Sequence, residues 1–185
     1  MDRRGLLLAL TAAALAGRPA RAESPLQAVF GVFVGVARVE DGEGRSIERR
    51  DLDLTIEPFR RTGFRLRTIS VTLVDGRRDL PGVVRRESES LFVPDQRRPY
   101  FVEFRDQNLF RPREELQPMA GDPVRWAVAD AEGLHVYAFV LLEDGRFELQ
   151  VTHRRPTADG LDLVFARIVE GVVQRRVVGR AVRVH

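Results

Sequence analysis

The chain contains no cysteine, which excludes disulfides, thiol nucleophiles and thiolate metal centres. It contains no lysine either, every basic side chain being arginine, so a Ser-x-x-Lys nucleophile is ruled out, and no G-x-S-x-G elbow surrounds Ser46, Ser70, Ser88 or Ser90. Histidine is scarce: His135, His153 and His185 share no HxH, HxxH or HExxH spacing, and no metal site follows from them. Like charges do not run beyond the arginine pairs, and no basic stretch interleaved with aromatics occurs. The pattern needed to bind nucleic acid is therefore missing.

One apolar run stands out at the start. Arg3 and Arg4 precede Leu6–Gly17, and Ala20-Arg21-Ala22 offers small residues for cleavage before Glu23. This is the layout of a secretory signal peptide, with an apolar stretch too short for a membrane span. Residues 1–22 are thus expected to be removed on export to the periplasm or outside the cell, leaving residues 23–185 as one domain with no membrane span. The leader carries four arginines and one aspartate, so the remainder balances 26 arginines against 26 carboxylates. The high pI of the whole chain is accordingly no sign of an anionic partner.

What is abundant is the pattern of β-strands. From Pro123 onward, runs at 124–129, 134–142, 146–153, 161–169 and 172–184 are separated by acidic-Gly turns at Glu132-Gly133, Asp144-Gly145, Asp159-Gly160 and Glu170-Gly171. Upstream, Val29–Glu40 is rich in β-branched and aromatic residues, and Leu52, Leu54 and Ile56 alternate with polar neighbours up to Pro58. In 63–76 the apolar parity changes from Phe64 and Leu66 to Ile69, Val71 and Leu73, which predicts a β-bulge near Thr68. Weaker runs at 83–94 and 97–106 lead into a connection, Asn108–Gly121, expected as a loop or single helical turn. The count is nine to ten strands without helices. Such a sheet hides its edges by closing, so the fold class is all-β, an antiparallel up-and-down barrel. An outer-membrane barrel is disfavoured because charges are expected on the outward face of nearly every strand.

The string Phe30-Gly31-x-Phe33-x-Gly35, together with this hairpin order, resembles the calycin barrels, the lipocalin and fatty-acid-binding group, with Phe33 in place of their usual Trp. The resemblance implies a ligand cavity inside the barrel. It also implies that a late-strand arginine, Arg176 or Arg180, either holds a ligand anion or packs over Trp126 or Phe33. A haem-ligating role for His135 or His153 would follow only from some members of that group.

Strand 134–142 is apolar on both faces. One face meets the core, and the other is expected to meet a cavity or a second copy in a homodimer. Candidate ligand-lining residues are Trp126, His135, Tyr137 and Phe139, with Arg176 or Arg180 as the anion contact. Carboxylate pairs Asp51/Asp53 and Glu87/Glu89 are expected to be ion-paired surface rather than acid and base. The functional expectation is non-catalytic binding of a small apolar or amphipathic molecule, without metal or cofactor. The alternative is a periplasmic accessory protein acting through protein contacts.

Overall fold

The computed structural model describes residues 24–105 and 116–184. The expected leader, part of the 108–121 connection and His185 lie outside the described residues. A 3-10 helix, Pro25–Ala28, precedes ten strands: β1 Gly31–Asp41, β2 Ser46–Phe59, β3 Gly63–Leu73, β4 Val84–Pro94, β5 Phe101–Phe104, β6 Val124–Asp130, β7 Gly133–Leu141, β8 Phe147–Pro156, β9 Gly160–Val169 and β10 Val172–Val184. Each strand pairs antiparallel with the next, and β10 returns to β1, giving a closed up-and-down barrel. A second 3-10 turn, Pro118–Ala120, is the single helical turn expected before β6.

Two local expectations change. The β2–β3 register runs unbroken from Arg49↔Leu73 to Phe59↔Gly63, and β3–β4 from Phe64↔Phe92 to Thr72↔Val84. There is no bulge near Thr68. The parity change arises because Ile69 and Val71 are apolar residues on the outer face, where Val71 is covered to 8% exposure. Register shifts occur instead between Val39 and Glu40 and between Val173 and Arg175. Nor does Pro58 stop its strand: β2 continues through Phe59.

Successive residues of a strand face opposite sides of the sheet, so the registers assign every side chain to the inside or the outside. Around one end of the barrel the inward positions are apolar and fully packed. Phe33, Leu54, Ile56, Phe64, Phe92, Ala127, Leu134, Leu161 and Ala181 are all buried there, joined by Leu26 of the N-terminal 3-10 helix and by Val29, which caps it. Phe64 stacks on Phe92 at 4.8 Å and meets Phe101 edge-on at 5.3 Å. The 3-10 helix thus stoppers this end.

Arg183 fastens the stopper. Its register partner on β1 is Phe33, and its guanidinium lies 4.9 Å from the Phe33 ring centre. It donates to the carbonyls of Phe30 and, at 3.1 Å, of Ala28. Gly31 leaves the room: a Cβ there would press on the Arg183 guanidinium. Closure also demands that strands approach tightly, and a Cβ on Gly35 would collide with the Arg180 carbonyl of β10.

Replacing Arg183 by Ala removes two charge-assisted hydrogen bonds and the cation–π contact, a loss of about 2–4 kcal/mol. Thermal or urea unfolding of Arg183→Ala is expected to show that loss. An unchanged midpoint would mean that the stopper is held by apolar packing alone.

Candidate functional site

The barrel's other half has a different inner wall. Glu48, Arg50, Glu103, Arg125, Glu148 and Arg167 all occupy inward parity, their strand neighbours in register being other inward positions such as Val39, Ala138 and Val169. They form three units. Arg50 is bonded to Glu48, which also accepts from Thr72 Oγ1 at 3.3 Å. Arg125 reaches Glu103 at 3.1 Å, and Ser90 donates to the same oxygen at 3.3 Å. Arg167 holds Glu148 at 2.6 Å, with Gln150 donating to Glu148 at 2.6 Å.

Two of these pairs hold their acids in the ionised form. Glu148 is 4% exposed, and hydrogen bonding from Arg167 keeps its carboxyl below the usual glutamate range against the opposing effect of burial. Burial opposes ionisation of Glu48 most strongly, yet the bonds from Arg50 and Thr72 and the charge of Arg175 bring its carboxyl below the usual range as well.

Nearer the stoppered end lies Arg154 on β8, at an inward position between Leu134 of β7 and Leu163 of β9. It is 7% exposed. Its Nε and Nη1 have no hydrogen-bond partner among the described residues, and burial alone pushes its pKa down to about 10. Near the opposite rim the wall is wet: Arg86 and Ser88 are exposed although β3–β4 pairing with Ser70 and Thr68 turns them inward. The interior is therefore filled at the stoppered end and polar towards the other.

The four residues expected to line the cavity do come together, but on the outside. Trp126 pairs in register with Tyr137, and their rings stack at 5.1 Å. His135 stacks on His153 at 4.0 Å, its Nε2 3.6 Å from Asp130, while His153 Nε2 contacts the Glu132 carbonyl oxygen at 3.1 Å. Phe139 faces Phe147 at 6.1 Å. Their neighbours Ala127, Leu134, Val136 and Ala138 take the inward positions of the same strands, so alternation forces Trp126, His135, Tyr137 and Phe139 outward. Arg176 and Arg180 are on the outer face too, Arg180 bonded to Asp159 at 2.7 Å. The arginine over Phe33 is Arg183. With His135 and His153 facing out, no described histidine reaches the interior, and the described residues hold no cluster of three potential metal ligands.

The expectation of charges on nearly every outward face is also corrected. Outward ion pairs do run across β2–β4, as in Arg65–Glu57 and Arg67–Glu87. The outer faces of β6–β8 are instead largely apolar and aromatic, and many arginines and glutamates lie within. Arg154 does not stand out in the sequence because Glu148, Gln150, Thr152 and Arg154 share one parity of β8 and Leu149, Val151 and His153 the other. Binary patterning assigns the polar parity to solvent. It does not distinguish bulk water from a polar chamber.

A group whose folded pKa is depressed stabilises the fold above its unfolded pKa, near 4.3 for glutamate, and loses that contribution as pH falls through the folded value. Glu148→Gln is therefore expected to cost roughly 1–2 kcal/mol at neutral pH, discounted for the half-exposed Arg167. The gap between variant and wild type should shrink below about pH 4. Melting temperatures across pH 3–8 check this, and a pH-independent difference would assign the loss to packing. Compared with protein-family models and with curated proteins, the chain matches none.

Proposed function

We propose that the protein is an exported, non-catalytic barrel that binds a small amphipathic molecule in the polar half of its interior. The observation that carries this reading is the exposure of Arg86 and Ser88 at inward positions of β4. Residues 84–90 of β4 pair with β3 alone, because β5 meets β4 only over Leu91–Pro94, so the polar inner wall is open to solvent beside them. The chamber joins polar wall to apolar patches, since Phe165 and Val177 face inward in register with Thr152 and with each other. A wholly apolar ligand suits it poorly, because the apolar end is already filled by side chains. The inward carboxylates are each tied to an arginine, which suits structure better than acid–base work.

Calycin-like identity is supported by the closed antiparallel order, by the 3-10 stopper and by Arg183 over Phe33, the arrangement that lipocalins use to close their barrels. Export rests on the sequence of the leader. Among the described residues no helix is long and apolar enough to cross a membrane, and the ion-paired outer face of β2–β4 is unsuited to a hydrocarbon surround.

A second reading, action through protein contacts, is favoured by one feature. Val32, Val34 and Val36 of β1, Val182 and Val184 of β10 and Val164 of β9 are 41–53% exposed on the outer face. Val32↔Val184 and Val34↔Val182 are direct cross-strand pairs. Such a patch could meet a second copy.

Filling the chamber tests the first reading. Native mass spectrometry of the gently purified protein is expected to show a co-purifying small molecule, and N-phenyl-1-naphthylamine, a neutral fluorescent probe, to bind; Ser88→Trp should abolish both while the protein stays folded. Absence of both signals in the wild type overturns interior binding. For the second reading the expected result is a dimer in sedimentation velocity, and a strict monomer at high concentration removes it.

A further inference from the structure

We propose that the chamber seats a small organic anion, with the charged group of the ligand against the guanidinium of Arg154. This assignment rests on the interior-binding reading and adds to it the sign of the ligand's charge and the residue that meets it.

A buried cation without a counter-charge is costly, and proteins pair such groups. Arg154 breaks that pattern: it is buried, its Nε and Nη1 are without partners, and it belongs to no ion pair among the described residues. Arg65 makes a useful contrast. Its Nε also lacks a hydrogen bond, yet it lies 3.7 Å from Glu89, and the same guanidinium is bonded to Glu57.

The inner wall as a whole has the same imbalance. Its glutamates Glu48, Glu103 and Glu148 are each matched by Arg50, Arg125 and Arg167. Arg86 and Arg154 remain as inward arginines that enter no ion pair among the described residues, while Arg175 faces Asp41 in register, so the inner wall carries more arginines than carboxylates and is electropositive. A low-dielectric wall of one sign draws an anion inward.

The position of Arg154 defines the pose. Leu134 packs beside it and Leu161, opposite Pro156, lies beyond it, both fully buried. Towards the wet rim lie Thr152 and Gln150 on its own strand and Phe165 on β9. An anionic group therefore goes in first, and the body of the molecule follows along a mixed polar and apolar wall. Guanidinium recognises planar or tetrahedral oxyanions, so the ligand class is a compact carboxylate or phosphate ester.

Three compounds separate the possibilities by calorimetry: octanoate, octan-1-ol of the same chain length, and inorganic phosphate. The wild type is expected to bind octanoate at least about tenfold more tightly than octan-1-ol. Arg154→Met, which keeps the volume and removes the charge, is expected to lose that preference and to melt higher than the wild type without ligand. Equal affinity of the wild type for octanoate and octan-1-ol overturns the anion assignment while leaving interior binding in place. A preference that survives in Arg154→Met overturns the role of Arg154, as does a lowered melting temperature or failure of that variant to fold, which would make the residue structural. Phosphate binding that matches octanoate overturns the organic body and leaves an anion seat. Binding of none of the three by the wild type, together with no N-phenyl-1-naphthylamine signal, overturns interior binding itself.

Discussion

Pairing of β1 with β10 is the constraint on which the other features depend. Ten antiparallel strands left open would expose two unpaired edges; joining them from Val32↔Val184 to Asp41↔Arg175 removes both. Closure fixes which parity of each strand is inside. It also brings Arg183 across from Phe33, where a single arginine ties the last strand, the first strand and the N-terminal 3-10 helix together. Gly35 and Gly160 permit the approach, since a Cβ on either would run into the backbone of β10.

The interior so enclosed has two regimes. At the stoppered end, phenylalanines and branched aliphatics exclude water, and burial of apolar area supplies the stability that disulfides cannot in a chain without cysteine. Towards the other end, glutamate–arginine pairs replace them. Such pairs gain little over an apolar filling once desolvation is counted, so stability alone does not explain why the wall is built from them. They keep this part of the inner wall polar. Arg154 sits at the boundary between the two regimes, with a leucine on either side in register.

Outside, the molecule is equally divided. The arc formed by β2, β3 and β4 presents ion pairs to solvent, while the arc from β6 round to β1 presents stacked Trp126 and Tyr137, the His135–His153 pair and the exposed valines of β1, β9 and β10. Stacking of neighbours across strands lowers the water contact of these rings without any covering element among the described residues. The outer face of β7 is thus half-buried by its own neighbours, which accounts for a strand that is apolar on both sides.

The sequence by itself determined the all-β class, the strand count and the reversals, because local alternation and acidic-Gly turns depend only on neighbours along the chain. All ten strands fall where that pattern places them. Facing was not legible, since it depends on pairs distant in sequence. Trp126, His135, Tyr137 and Phe139 share a parity with no inward core residue of their strands, yet as letters the three aromatics Trp126, Tyr137 and Phe139 suit an interior as well as Ala127, Leu134, Val136 and Ala138 do. Only closure decides between them. The same holds for the arginines: Arg176, Arg180 and Arg183 are spaced along one strand, and it is the unbroken register with β1 that turns Arg183 over Phe33 and the other two to solvent. Arg154 follows from the same cause. A polar parity in a strand reads as surface, and the tertiary structure alone shows that this surface lies inside the barrel.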